Sequence, residues 1–189
     1  MTVLLAFHTS IAMARDLQVE GVTVAEQVAV FGQKVRLNGV GVRTQFGFRI
    51  YVAALYLPTP TREVGRVLEC DAPARLQLTL LRDTSMEQSL EALKAGLNGN
   101  NSAADLEAIK SEVALFFSLI QQMREVPAGT VIELDYQPGL GTHVRIGSQN
   151  LGMIPGERFN RAILKIWLGS NPTQLSLKKA LLGIEGPVL

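Results

Sequence analysis

The stretch GVGVRTQFGFRIYVAALYLP, Gly39 to Pro58, decides how the chain folds. Phe46, Phe48, Ile50, Val52, Ala54 and Tyr56 fall on alternate positions, and the intervening Arg49, Tyr51, Ala53 and Leu55 turn apolar toward the end. Strand side chains alternate between faces, so a run apolar on one face and half-apolar on the other predicts a strand inside a sheet covered on both sides. Pro58-Thr59-Pro60 stops it, because proline cannot donate to the ladder. A lone cation, Arg43, stands just ahead of this greasy run in a glycine-rich setting, and its presence there needs a reason.

Upstream, LQVEGVTVAEQVAVFGQKVRLNG (17–39) reads as short strands punctuated at Gly21, Gly32 and the Asn38-Gly39 pair, the last a strong turn signal. Downstream, a short helical piece near 61–68 precedes ARLQLTLL (74–81), which alternates as a strand. Thr84/Glu87 and Ser85/Gln88 have capping-box spacing ahead of a helical stripe at Met86, Leu90, Leu93 and Leu97. Ser102 caps a longer helix with its stripe at Leu106, Ile109, Val113, Phe116 or Phe117, Ile120 and Met123. TVIELDY (130–136), THVRI (142–146) and QNLGMI (149–154) form a three-stranded meander. A helix over 155–168 ends at Gly169 as an αL cap, and a last short helix ends at Gly183. Strands and helices do not alternate strictly, so the expected class is α+β: a mostly antiparallel sheet with a layer of helices on one face.

The 189 residues, 47% hydrophobic and 19% charged with a formal net charge of +1, fit one domain. The balanced charge leaves no electrostatic footprint for nucleic acid. A single cysteine, Cys70, excludes an intrachain disulfide, and with only His8 and His143 it argues against a dedicated zinc site. Val3 to Phe7 is apolar and Ala12-Met13-Ala14 is a small-x-small site, which together predict a secretory signal over 1–14. The mature domain is then 15–189, and its place is periplasmic or secreted. No run reaches the roughly 20 apolar residues that span a bilayer.

Familiar catalytic signatures are missing. There is no G-x-G-x-x-G after a strand, no Walker loop and no H-E-x-x-H, and His143 lies in an alternating strand without a nucleophile elbow. Asp83, Glu87, Glu133 and Asp135 read as caps or solvated strand faces. No cofactor, metal or catalytic residue is expected on these grounds.

Three stretches are distinctive: NGVGVRTQFGFRIYVAALYL (38–57), LLRDTS (80–85) and FNRAILKIWLGSNPTQLSLKKALLG (159–183). Together they resemble the bacterial chalcone isomerase-like family, from about Leu17 to Gly183. The resemblance implies an open-faced sandwich with a ligand cleft between the long strand and the helices. Plant chalcone isomerases close a flavanone ring by intramolecular oxa-Michael addition, whereas related non-catalytic members bind fatty acids. In both, an arginine before the long strand meets the ligand's anionic oxygen, and Arg43 matches it. The isomerases' strand threonine is matched by Tyr51, their tyrosine-to-asparagine segment by DTSMEQSLEALKAG (83–96), which has neither residue, and their late threonine falls near Ile166.

Loss of even one transition-state donor typically costs roughly a hundred- to a thousandfold in rate, so these replacements argue against efficient isomerisation. A guanidinium fork over an apolar cleft instead suits a carboxylate with a tail. The expected ligand is thus a small hydrophobic or amphipathic molecule such as a fatty acid. Arg43 is its anchor, Tyr51 a polar contact, and Arg49 an alternative cation. Tyr51, Ala53, Leu55, Leu90, Leu93, Ile163 and Trp167 are candidates for the tail. Two rival readings stand beside this one: an intramolecular lyase acting on an enone, and an envelope interaction module with a vestigial cleft.

Overall fold

The computed structural model describes residues 16–123 and 125–186; the expected secretory segment lies outside them. The chain opens with five strands, β1 (Leu17–Val19), β2 (Val22–Val24), β3 (Gln27–Val30), β4 (Gln33–Gln45) and β5 (Phe48–Leu57). Helix α1 (Val64–Leu68) leads to β6 (Ala74–Leu80), and the short β7 (Thr84–Ser85) to α2 (Met86–Asn100), α3 (Ala103–Ala108) and α4 (Lys110–Ile120). Then follow β8 (Glu125–Val126), β9 (Val131–Gln137), β10 (Gly141–Ile146), β11 (Gln149–Pro155), α5 (Glu157–Leu168) and α6 (Leu175–Leu181).

Seven strands make one antiparallel sheet in the order β11-β10-β9-β6-β5-β4-β3. Alternation along β5 splits its residues between two interiors. Ala53, Leu55 and Leu57 join Leu76 and Leu78 of β6 and the helices, above all the fully buried Phe159 and Ile163 of α5. Val52, Ala54 and Tyr56 face the other way, into a smaller core with Val19, Val24, Val30, Val35, Val40 and Val42. The expected helical layer on one face is present, and the β1–β2 hairpin and the start of β4 supply apolar cover on the other. The sheet curls as it does so: the Phe31 ring, at the tip of the β3–β4 hairpin, lies 6.2 Å from His143 of β10, although their strands stand far apart in the order.

On this second face Arg75 joins Asp135 through Nε (2.5 Å) and Nη2 (2.6 Å) and Glu133 through Nη1 (2.6 Å), with Arg145 completing the network. Arg75 and Asp135 are only 8% and 5% exposed, so the expectation that Asp135 is a solvated strand residue is corrected. Sequence alternation reports which face a carboxylate occupies but not whether the curl of the sheet covers it.

Other expectations also change. Asn38-Gly39 is no turn: it sits within β4 at a register shift opposite β5, held by Asn38 Nδ2 donating to Leu181 O at 2.7 Å. The turn is instead Phe46-Gly47, with φ of 51° and 78°, so Arg43 belongs to β4 and pairs directly across from Tyr51. Ser102 caps α3 as expected, accepting from Asp105 N, but that helix breaks from α4 at Ile109. Ser85 caps α2 without a side-chain bond, and Thr84 and Ser85 form a short antiparallel pair with β8. Gly169 is extended (φ −69°) rather than αL, and an added Cβ would come within 2.3 Å of Asn100 Oδ1.

Burial pushes the Tyr56 hydroxyl from 10.0 up to about 12, against the pull of Arg75 and with help from Asp16 and Glu133. The unfolded chain therefore gives up this proton first, so the contribution is whole below the unfolded value and is lost as pH rises through the folded one. The loss approaches about 2–3 kcal/mol for a shift of this size. Urea unfolding of wild type and Tyr56→Phe between about pH 9 and 12 should show the wild type losing more stability by that margin; parallel profiles would refute it. Tyr51 and Tyr136, also raised by burial, contribute equally to both proteins and cancel in the comparison.

Candidate functional site

Between the helical side of the sheet and α2, α4 and α5 lies a cleft of about 950 Å³. Its floor is Leu78 and Leu80 of β6, Leu134 of β9, and Val144 and Ile146 of β10. Its roof is Leu93 of α2, Phe116 and Ile120 of α4, and Ile166 and Trp167 of α5. The exposed rim includes Gln45, Phe46, Phe48, Arg82, Glu87 and Glu91, which places the mouth between the β4–β5 hairpin tip and the first turns of α2. The exposed residues at its rim show that the space communicates with solvent and is not a sealed void in the core.

Of the polar groups that line it, Arg43, Tyr51 and Thr173 lie together at one end. The sheet register places Arg43 opposite Tyr51. Arg43 Nη1 donates to Thr44 O (2.6 Å) and to Gln174 Oε1 (3.2 Å), and among the described residues its other nitrogens carry no hydrogen bond. Gln174 also accepts from Thr44 N at 2.9 Å and donates to Ser176 Oγ at 2.7 Å, tying the end of β4 to the segment before α6.

The Tyr51 hydroxyl accepts from Trp167 Nε1 at 2.9 Å, which leaves its own proton free to donate. Burial raises its pKa, opposed by the Trp167 bond, the Arg43 charge and the Thr173 hydroxyl. At neutral pH it is thus a phenol and a donor. Thr173 Oγ1 is buried without a partner in full hydrogen-bond geometry. The Thr173 hydroxyl thus lies beside the Tyr51 hydroxyl in less than full hydrogen-bond geometry, and both can turn toward a third group. A guanidinium, a phenol and a hydroxyl around one end of an apolar cleft present donors to an anion, and a carboxylate has the lone pairs to accept them all.

Of the residues singled out from sequence, Arg43, Tyr51, Leu93 and Trp167 all line this cleft. Arg49 does not: it is exposed and pairs with Glu20 at 2.9 Å, on the turn between β1 and β2. Ala53, Leu55 and Ile163 are fully buried core, and Leu90 is core beside them. Thr173 and Gln174 escaped the sequence reading. Their only signal was a polar SNPTQ segment following a helix end, which is ordinary for a loop. Among the described residues no group of three or more His, Cys, Asp or Glu lies together as a metal would need, and no helix is long and apolar enough to cross a membrane.

The chain matches the chalcone isomerase-like family model over residues 16–183. Among solved structures, a fatty-acid binding protein of Arabidopsis thaliana is similar to it, with a TM-score of 0.68 at 16% identity over 89% of this chain and 96% of that one. At such low identity the likeness speaks for the fold. No curated protein matches the chain.

Proposed function

This chain belongs to the chalcone isomerase-like family, and from that premise we propose that it binds a small amphipathic carboxylate, a fatty acid by preference, without turning it over. The observation that carries the reading is the convergence of Arg43, Tyr51 and Thr173 on one end of a long apolar cleft. Arg43 supplies charge and a fork, Tyr51 and Thr173 supply neutral donors, and the leucine-rich floor takes the tail. The volume lies within the range of about 300–1,000 Å³ usual for small-molecule sites. The structural likeness to a protein named for fatty-acid binding supports the same choice. The proposal includes a location outside the cytoplasm, which rests on the apolar Val3–Phe7 run and the Ala12-Met13-Ala14 site.

Native mass spectrometry of protein purified without detergent should find a fatty-acid adduct. After delipidation, affinity for saturated fatty acids should rise with chain length by about fourfold per methylene, the equivalent of about 0.8 kcal/mol for each buried CH₂, until the cleft is filled. Affinity indifferent to chain length would sink the tail-in-cleft reading. Turnover of a chalcone by the purified protein would favour the lyase reading instead.

A further inference from the structure

The tip of the β4–β5 hairpin carries Phe46, 90% exposed, and Phe48, 58% exposed. Its loop is two residues long with positive φ at both, the geometry that favours Asn-Gly, because a bulky side chain is strained in the left-handed region. Phenylalanine is thus a poor choice there for the backbone, and a poor one for hydration. The chain uses the same Phe-Gly loop at Phe31-Gly32 (φ 48° and 77°), where the aromatic has a structural task in its edge contact with His143. Phe46 has no aromatic or cationic partner among the described residues. Phe48 lies beneath the Arg82 guanidinium, 4.7 Å from the ring centre. Both rings line the mouth of the cleft.

We propose that Phe46 and Phe48 dock this mouth onto the surface of a lipid bilayer, the phase from which an amphipathic carboxylate enters the cleft. The proposal rests on the lipid-binding reading above and adds the route by which the ligand arrives. Three considerations select a bilayer as the occupant. Two phenylalanines offer at most about 150–250 Å² each, well short of the roughly 800 Å² per partner that a stable protein interface buries. A second copy or a protein partner seated on the tip would also obstruct the opening that the tip flanks. Aromatic rings with an arginine over one of them match the membrane interface, where an apolar body and a wet cationic head are both accommodated. Asp83, Glu87 and Glu91 oppose Arg82 around the opening, so the rings drive the docking and uncharged lipid suffices.

Flotation with phosphatidylcholine vesicles tests this. Wild type should float, and Phe46→Asn should float about tenfold less, the loss expected for removing one inserted ring. Phe46→Asn creates the favoured Asn-Gly loop, so it should melt no lower than wild type. Phe46→Trp should float like wild type. Wild type that stays out of the vesicle fraction, or Phe46→Asn that floats as well as wild type, overturns the proposal. So does a concentration-dependent dimer, seen by light scattering and abolished by Phe46→Asn, in place of vesicle binding. If wild type floats and Phe46→Asn does not, yet neither binds palmitate, docking stands and the fatty-acid reading falls.

Discussion

Gly39→Ala is expected to destabilise the fold by about 3 kcal/mol or more, the range in which overpacking against an immovable neighbour lies. An added Cβ would stand 2.0 Å from Ala180 O and 2.6 Å from Leu181 O. Both are backbone atoms at the end of α6, so no side-chain rotation relieves the clash. The helix must lift from β4 instead. Lifting it exposes Leu177 and Leu181, each worth roughly 1.5–3 kcal/mol when fully buried, and breaks the bond from Asn38 Nδ2 to Leu181 O. In a chain of this size each kcal/mol moves the melting temperature by about 2–4 °C, so a circular-dichroism melt should fall by roughly 6–12 °C. Gly41→Ala should act in the same direction, because its Cβ would lie 2.7 Å from the Ala180 Cβ, which has no rotamer to change, so α6 must again shift. A Gly39→Ala melt within about 2 °C of wild type would mean that α6 does not rest on β4 as described.

Arg43→Met is expected to weaken fatty-acid binding about a hundredfold while leaving the melting temperature near that of wild type. Hydrogen bonds to a charged group are worth about 1.5–3 kcal/mol, and tenfold in affinity is about 1.4 kcal/mol. The fold depends little on Arg43, whose bonds go to a neighbouring carbonyl and to Gln174. Calorimetric titration with palmitate and with its methyl ester separates charge from packing. Wild type should lose affinity for the ester, and the variant should treat acid and ester nearly alike, the coupling pattern of a direct contact. Arg49→Met should bind as wild type does, since its guanidinium is engaged with Glu20 away from the cleft. An Arg49→Met loss larger than that of Arg43→Met would transfer the anchor to Arg49.

The architecture was legible in the sequence wherever a short-range pattern sufficed. The period-two run of β5, the β9–β10–β11 meander and the stripe of α5 all follow from which residues one face must bury. The hairpin at Phe46-Gly47 was hidden because its first position carries an aromatic where the turn favours asparagine. That omission placed Arg43 ahead of the strand that bears Tyr51 instead of directly across from it. Asn38-Gly39 misled in the opposite sense: a strong local turn signal is overridden by α6, more than a hundred residues further along the chain. Arg43 and Tyr51 were accessible through family resemblance. Thr173 and the bracing role of Gln174 depend on how the end of β4 meets the segment before α6, and no local pattern encodes that meeting.

Tyr51 lines the cleft while Val52, Ala54 and Tyr56, on the same strand, pack into the opposite core with the Arg75–Asp135 network close by. A single strand thus separates two kinds of heritable change. Substitutions on the cleft side alter the shape offered to a ligand, and substitutions on the valine side alter the curvature of the sheet. The cleft can therefore drift through a lineage while foldedness is held by a different set of positions, so descendants of one frame are free to diverge at the cleft before they diverge in shape.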